Sequence, residues 1–259
     1  MRSFTSNLLR KVFMENPEVS SPSDLVVAYQ NNAAAYQVSD ALVDLNPYVN
    51  DKKWGLGEDI KDFFEGFIMQ DVNAQFGGQR LGFPPNRSME VVYYNRTWMQ
   101  EAGISQPPST WDAFYDACAK ATDKAKGTYG YAISTDASNI FSQVISRGGE
   151  IAKKDGTGYT YNTPEMKASM QFMKRLYDAG YSRKIGERYG DQTDFGNYKV
   201  MFTMSSTSGL PFYEEAVAKG KGGQFDWSVA AIPHTTAKAT QNIYGASLSV
   251  PKTTPQKQL

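Results

Sequence analysis

The chain has 259 residues, 41% of them hydrophobic and 21% charged, which fits one large globular domain or two ordinary ones rather than a disordered chain. Basic and acidic residues balance at 27 each, so the sequence carries no basic excess that would attract nucleic acid. The single cysteine, Cys118, and the single histidine, His234, exclude an internal disulfide and any metal centre built from several such residues. No cofactor site is therefore predicted.

The first third of the chain alternates helical and extended patterns. A helix is predicted in "NLLRKVFMENPEV", followed by a strand in "DLVVAY" and a helix end with a turn at Asn46-Pro47. The apolar residues of "GEDIKDFFEGFIMQDVNAQ" recur at helical spacing and predict a long amphipathic helix. "SMEVVYYN" combines β-branched and aromatic residues and predicts a second strand. No apolar run approaches the ~20 residues of a membrane span, and the N-terminus lacks the apolar stretch of a signal peptide.

The remainder continues the alternation. Helices are predicted in "NRTWMQEAG", in "STWDAFYDACAKAT" after Pro107-Pro108, in "IFSQVISRGG", in "TPEMKASMQFMKRLYDAG" and in "LPFYEEAVAKG". Strands are predicted in "YGYAIS", "KVMFTMS", "FDWSVAAIP" and "YGASLSVP", and a hairpin in "KKDGTGYTYN". Cys118 shares a helical face with Trp111, Phe114 and Tyr115, which favours a core residue over a reactive thiol. The fold class is therefore α/β.

Three predicted strands end on small polar side chains: "AYQNN", "AISTDASN" and "FTMSSTSG". Ligands of open α/β sheets bind at such strand ends. Neutral hydroxyl and amide groups suit the recognition of sugar hydroxyls and do not supply proton transfer at neutral pH. The pattern therefore favours a binding site over a catalytic one.

Two other interpretations remain open at this stage. Asp136 is an acid within these clusters, and paired with a second carboxylate it would suit a glycoside hydrolase. Arg87, beside Ser88, or the "SSTSG" segment at a helix start would suit a phosphate or carboxylate. No Walker A or GxSxG motif is present, so nucleotide binding and serine hydrolysis are disfavoured.

The order of the segments resembles the extracellular solute-binding proteins of ABC importers, most closely those for sugars and glycerol-3-phosphate. The resemblance runs from about Ser23 onward and lies in "SDLVVAYQNN", "ALVDLNPYV", "FPPNRSMEVVYYNRTWMQEAGISQPPSTWDAFYDACAKAT", "RGGEIAKKDGTGYTYNTPEMKASMQFMKRLYDAGY", "FGNYKVMFTMSS" and "WSVAAIPHTT…YGASLSVPKTTPQ". It implies two α/β lobes joined by hinge strands, a type II periplasmic-binding-protein-like fold, with a ligand trapped by hinge closure.

The resemblance also implies a division of the chain. Residues 1–91 would form part of the first lobe, 92–96 a hinge crossing, 97–242 the second lobe, and 243–259 the return hinge and re-entry into the first lobe. Family members are longer at both ends, so we expect the chain to be incomplete at both termini.

Residues are assigned by their match to the family's contact positions. The predicted ligand-binding residues are Tyr29, Gln30, Asn31, Arg87, Ser88, Asp136, Ser138, Ser205, Ser206, Tyr244, Gly245 and Ala246. Glycerol-phosphate binders resemble this chain near Tyr29 but carry an acid at the position of Gln30, which tilts the expectation toward a neutral carbohydrate.

The expected function is ligand capture without catalysis: a sugar or oligosaccharide is bound and delivered to a membrane permease of the ABC type. The alternatives are a glycerol-3-phosphate or glycerophosphodiester binder and, in another class, a glycoside hydrolase using Asp136. The resemblance implies a monomer in the periplasm or outside the cell, with a lipoprotein anchor as one form, and no nucleic-acid partner.

Overall fold

The computed structural model describes residues 24–153 and 157–252, and the chain divides into two compact units. Unit 1 comprises Met1–Arg87 with Tyr244–Leu259, and unit 2 comprises Ser88–Ile243. The first division therefore falls just before the predicted crossing at 92–96, which lies within unit 2. The hinge role of 92–96 and 243–259 stays a prediction. The predicted N-terminal helix lies outside the described residues.

Unit 1 is built on a two-stranded antiparallel sheet. Strand β1 (Val26–Ala28) pairs with β10 (Ser247–Ser249), and Val26 lies opposite Ser249. The other elements of this unit are helices α1 (Gln30–Gln37), α2 (Asn46–Val49) and α3 (Glu65–Ile68) and a short hairpin of β2 (Val72–Asn73) with β3 (Gln79–Arg80). Its buried core consists of Val26, Ala28, Ala33, Tyr36, Leu42 and Leu81.

The long amphipathic helix predicted over "GEDIKDFFEGFIMQDVNAQ" is wrong. The segment is broken into a 3₁₀ turn (Gly57–Asp62), α3, a second 3₁₀ turn (Met69–Asp71) and β2. Phe64, on the predicted apolar face, is 76% exposed. Helices gain most of their stability by burying such a face, so the unburied pattern does not hold a continuous helix.

Unit 2 contains a five-stranded path in the order β6-β5-β7-β4-β8. Its strands are β4 (Ser88–Asn95), β5 (Tyr129–Ile133), β6 (Ser182–Lys184), β7 (Val200–Ser206) and β8 (Trp227–Ala230). Strand β5 runs parallel to β6 and β7, and β4 runs antiparallel to β7 and β8. The short β9 (Ile243–Tyr244), where the units divide, also pairs with β4.

The helices of unit 2 follow their sequence signals, except for the short helix Gly190–Gly196, which the sequence pattern does not predict. They are α4 (Arg96–Glu101), α5 (Trp111–Ala121), α6 (Ala137–Ile145), α7 (Pro164–Ala179), α8 (Gly190–Gly196) and α9 (Leu210–Lys219). The helix predicted in "TPEMKASMQFMKRLYDAG" is confirmed as α7, and its ends are typical: Thr163 Oγ1 accepts a hydrogen bond from Met166 N at 3.2 Å, and Gly180 adopts a φ of 71°. No helix among the described residues is long and apolar enough to cross a membrane.

Candidate functional site

Polar strand ends meet at one edge of the unit 2 sheet. Because β5 and β7 are parallel and β4 is antiparallel to β7, the ends of β5 and β7 and the start of β4 lie at the same edge. This polar edge brings together the predicted residues Ser88, Ser205 and Ser206. Glu90 lies directly opposite Ser206 in the register. The carboxyl-edge placement expected from the sequence is thus present within unit 2.

A pocket of about 360 Å³ opens at this edge. It is lined by Tyr189, Gln192, Ser205, Ser206, Ser208, Gly209 and Phe212, none of which carries a charge. The rings of Tyr189 and Phe212 are exposed, at 58% for each residue. Two aromatic rings, three serine hydroxyls and an amide thus surround one volume, which suits a ligand with both apolar faces and hydroxyl groups.

Tyr189 is held in a sparsely populated backbone conformation. Its φ of 62° lies in the left-handed region, which is costly for a side chain of this size. The guanidinium of Arg188 lies 4.9 Å from the centroid of its ring. Helix α8 begins directly after it, at Gly190, so the turn that strains Tyr189 also places its ring at the pocket.

A buried hydrogen-bond network lies beneath the pocket. Tyr213 donates to Asp191 Oδ2 at 2.6 Å and lies 2.7 Å from Thr203 Oγ1, while its ring stacks on Tyr93 at 3.8 Å. Tyr93 donates its hydroxyl hydrogen to Ser206 O at 2.6 Å. Burial, together with the charge of Asp191, raises the pKa of Tyr213 well above its usual value. The Tyr213 hydroxyl therefore keeps its hydrogen, and the network fixes the end of β7 through Ser206 O.

The hydroxyl groups of "SSTSG" bond one another. Ser206 Oγ accepts from Ser208 N at 3.2 Å and lies 2.8 Å from Ser208 Oγ. Thr207 Oγ1 accepts from Met89 N at 3.2 Å. These contacts order the turn that leads into α9, and they occupy part of the hydrogen-bonding capacity considered for an anion.

Asp136 and Ser138 form a helix cap beside this edge. Asp136 is the N-cap of α6, and its Oδ1 accepts a hydrogen bond from Ser138 N at 2.8 Å. Both residues had been assigned to the polar strand end, and Ser138 instead lies in the first turn of the helix. The structure gives the Asp136 carboxylate a capping role; contact of either residue with a ligand stays a prediction.

The predicted residues of the early strand belong to unit 1. Tyr29 is the exposed N-cap residue of α1, Gln30 is the first residue of that helix, and Asn31 is exposed in its first turn. The amides were expected at a strand end and instead begin a helix. Gln30 Nε2 donates to Asp71 Oδ1 at 3.0 Å and to Ser247 Oγ at 3.1 Å.

The side chain of Arg87 is buried, whereas contact with a phosphate requires exposed N–H donors. Its side chain is 0% exposed and forms an ion pair with Asp71 at 2.7 Å, whose side chain is 3% exposed. The guanidinium also donates to Phe67 O, Gly245 O, Ala246 O and Ser247 Oγ. All five N–H donors of arginine are therefore engaged. Buried acceptors within unit 1 use its full donor set, and contact of Arg87 with a ligand stays a prediction.

The predicted return hinge supplies hydrogen-bond acceptors to the guanidinium of Arg87. Gly245 O accepts from Arg87 Nη1 at 2.8 Å and from Gln30 Nε2 at 3.3 Å, and Ala246 O accepts from Arg87 Nη1 at 3.3 Å. Tyr244 lies in β9. A ligand contact by Tyr244, Gly245 or Ala246 stays a prediction, and the carbonyl groups of Gly245 and Ala246 have internal partners.

The single cysteine, Cys118, and the single histidine, His234, both contact other parts of the protein. Cys118 is fully buried, and burial raises the pKa of its thiol well above the usual value, which confirms the core interpretation. His234 Nδ1 lies 2.8 Å from Thr236 O. Within residues 24–153 and 157–252, no group of three or more His, Cys, Asp or Glu side chains is arranged to hold a metal ion.

Sequence reasoning missed the aromatic and amide lining of the pocket. Tyr189, Gln192 and Phe212 come from α8 and α9 and from the turn before α8, which carries no periodic signal. An aromatic ring for ligand stacking is foreseeable from the number of tyrosines, but its position is not.

The chain matches a family model described as bacterial extracellular solute-binding protein over residues 8–259. It is 25% identical over 235 residues to a diacetylchitobiose-binding protein of Streptomyces coelicolor, covering 89% of this chain and 52% of that protein. It is 30% identical over 187 residues to the sn-glycerol-3-phosphate-binding periplasmic protein of Shigella dysenteriae, covering 67% and 41%. The chain thus spans about half the length of these curated relatives.

A solved structure has the same fold. It is an ABC transporter solute-binding protein from Agrobacterium radiobacter in complex with ribitol, with a TM-score of 0.73 and 20% identity. The match covers 98% of this chain and 63% of that chain. The two-lobe, periplasmic-binding-protein-like class predicted from the sequence is therefore confirmed.

Proposed function

Because the chain belongs to the bacterial extracellular solute-binding family, we propose that it is the ligand-binding component of an ABC importer and that its ligand is a carbohydrate. The family consists of binding proteins, which agrees with the expectation of capture without catalysis. Periplasmic or extracellular location, delivery to a membrane permease and a monomeric state belong to this proposal.

The observation that carries the proposal is the uncharged lining of the unit 2 pocket. Its volume of about 360 Å³ falls within the roughly 300–1,000 Å³ of small-molecule sites. Tyr189 and Phe212 offer ring faces to the C–H face of a sugar, and Ser205, Ser206 and Gln192 offer hydrogen bonds to its hydroxyls. A phosphorylated ligand would bring an anion to a pocket without a cationic lining residue.

The relatives support a carbohydrate as the ligand class, but they bind different compounds and do not identify one ligand. One binds diacetylchitobiose, a solved structure of the same fold holds ribitol, and another relative binds sn-glycerol-3-phosphate. The neutral pocket favours the first two chemistries. The phosphate alternative depended on Arg87 and on the "SSTSG" segment, and the burial and full bonding of Arg87 count against the first of these.

The test is a binding screen with matched variants. We expect thermal stabilisation of the wild-type chain by at least one neutral ligand among ribitol, maltose and diacetylchitobiose, because a ligand of the native state raises the apparent stability. Phe212→Ala should weaken that ligand's affinity about tenfold, ~1.4 kcal/mol, by calorimetry. Tyr177→Ala is the control, because Tyr177 is exposed on α7 outside the pocket lining.

Two results would contradict the proposal. One is a screen in which no neutral ligand shifts the melting temperature while sn-glycerol-3-phosphate does. The other is unchanged affinity in Phe212→Ala. Turnover of an oligosaccharide that Asp136→Asn abolishes would instead support the glycoside hydrolase alternative.

A further inference from the structure

We propose that unit 2 carries a second binding site, for a compact oxyanion of the phosphate class, in a pocket whose lining residues all fall within 94–107. This β4–α4 pocket is separate from the pocket at the polar edge. Strand β4 begins at the polar edge with Ser88, so Tyr94 lies roughly 20 Å along the strand from that edge, at ~3.3 Å per residue. The site therefore goes beyond the proposed function and does not depend on it.

A reversal of the chain after α4 forms the β4–α4 pocket. The helix is followed by Gly103, whose φ of 68° lies in the left-handed region that favours glycine. Gly103 N donates to Gln100 O at 3.0 Å, and Ile104 N donates to Met99 O at 2.8 Å. The turn brings residues 104–107 back toward the helix, and the pocket formed there has a volume of about 240 Å³.

The polar side chains that line this pocket can all donate hydrogen bonds. They are Tyr94, Arg96, Gln100, Ser105 and Gln106. Within the described ranges 24–153 and 157–252, none of these five side chains forms a hydrogen bond or an ion pair. Their donors are therefore available to a ligand.

Tyr94 is the buried member of this set. It is only 7% exposed, and it belongs to the hydrophobic core cluster that contains Val92 and Trp98. A buried tyrosine hydroxyl usually has a hydrogen-bond partner. The described part of the chain supplies none to Tyr94, although the residue lines an open volume. The unpartnered hydroxyl thus indicates an acceptor that comes from outside the chain.

Arg96 gives the pocket a positive charge. It is exposed and is the single charged residue of the lining. Two acids belong to adjacent segments: Glu101 Oε2 accepts from the Tyr198 hydroxyl at 3.0 Å, and the backbone oxygen of Asp226 accepts from Arg96 N at 2.7 Å. Neither acid lines the pocket, and no carboxylate of the described residues forms an ion pair with Arg96. The charge is therefore not neutralised within the pocket.

Donors combined with a positive charge favour an oxyanion. The planar guanidinium of arginine matches two oxygens of a phosphate or carboxylate, and such charge-assisted bonds are roughly twice as strong as neutral ones. The donors come from the end of β4, from α4 and from the turn after it, so the four oxygens of a phosphate use them more fully than the two of a carboxylate. The volume lies below the roughly 300–1,000 Å³ of drug-sized sites, which favours a compact ion.

The test is a titration of the 259-residue chain with inorganic phosphate, followed by calorimetry and by backbone amide resonances. We expect the resonances of residues 94–107 to shift, while sodium chloride at equal ionic strength leaves them in place. Arg96→Gln should lower the phosphate affinity at least about tenfold, because the charge-assisted bonds are lost. Arg175→Gln is the matched control, since it removes the same charge from α7, outside the pocket lining. Its phosphate affinity should stay within about threefold of wild type.

Tyr94→Phe separates binding from folding. It removes only the hydroxyl, which has no partner in the described part of the chain, so the midpoint of denaturant unfolding should stay at the wild-type value. The phosphate affinity should fall about tenfold, because a hydrogen bond to a charged group is lost. Unchanged phosphate affinity in Arg96→Gln, or a Tyr94→Phe variant that loses stability but not affinity, would overturn the site.

A free phosphate and the phosphate of a lipid headgroup share this chemistry, and vesicles distinguish them. Saturable binding of inorganic phosphate without co-sedimentation on phosphatidylglycerol vesicles assigns the site to free ions. Co-sedimentation that Arg96→Gln abolishes, without binding of inorganic phosphate, assigns it to the headgroup. If wild type binds neither, the proposal is wrong.

The two pockets of unit 2 can be tested separately. Arg96→Gln should leave the affinity for a neutral ligand found in the screen unchanged, because Arg96 lies at the other end of β4. Stabilisation by sn-glycerol-3-phosphate that Arg96→Gln abolishes supports the β4–α4 site. Stabilisation by the same compound that only Phe212→Ala abolishes contradicts the neutral ligand of the proposed function instead.

Discussion

Arg87→Met should destabilise unit 1 by ~3–5 kcal/mol, the cost found when one partner of a buried ion pair is removed. The structure explains why the cost is at the level of a buried pair. The Arg87 side chain is 0% exposed, and five acceptors, Asp71 Oδ2 among them, each lose one donor. Asp71 would keep Gln30 and Ser247 as donors but would lose the cation that is hydrogen-bonded to it, and only the more remote charge of Arg80 would remain.

The assay is amide hydrogen exchange with unit-resolved peptides, combined with denaturant unfolding. Exchange should accelerate in β1, α1 and β10 and stay unchanged in the strands of unit 2. Lys252→Met is the matched control in the same unit, because Lys252 and Asp40 form an exposed ion pair worth at most about 1 kcal/mol. Equal effects of the two variants, or a loss below about 1 kcal/mol in Arg87→Met, would refute the structural assignment of Arg87.

Two further predictions concern the core of unit 2. Cys118 should resist thiol reagents at pH 8 in the native state and react only on unfolding, since burial raises its pKa. For the same reason, the free energy of unfolding should be unaffected by this thiol below its unfolded-state pKa of about 8.5 and should fall as the pH rises above that value. Gly196→Ala should destabilise by ~1–3 kcal/mol in thermal unfolding, because an added Cβ would lie 2.1 Å from Ala216 O, whereas Gly158→Ala, with open space around it, should change little. Rapid labelling of native Cys118, or equal melting temperatures of the two glycine variants, would contradict these packing assignments.

Much of unit 2 could be predicted because its signals are local. Strand β4 follows from the run of β-branched and aromatic residues in "SMEVVYYN", and helix α7 from Thr163, Pro164 and Gly180 at its ends. The apolar face of α5 identified Cys118 as a core residue. These signals persist because tertiary packing buries the faces that the sequence makes apolar.

Local signals failed where the packing did not follow them. The periodic residues of "GEDIKDFFEGFIMQDVNAQ" predict one helix, yet Phe64 remains exposed and the segment divides into short turns. Strand β6 and helix α8 were missed, because each is short and carries little periodicity. The polar strand ends were correctly located, but Gln30 and Ser138 begin helices there.

The α/β class, the family and the polar chemistry of the strand ends can be predicted from the sequence, since they depend on residue order and composition. The contacts of individual side chains depend on the folded structure. Arg87, a candidate for binding phosphate, forms a buried hydrogen bond with Ser247, which lies 160 positions away in the chain. Tyr189 and Phe212 reach one pocket from separate elements. Such partners depend on chain topology, because a long-range contact leaves no local pattern in either segment.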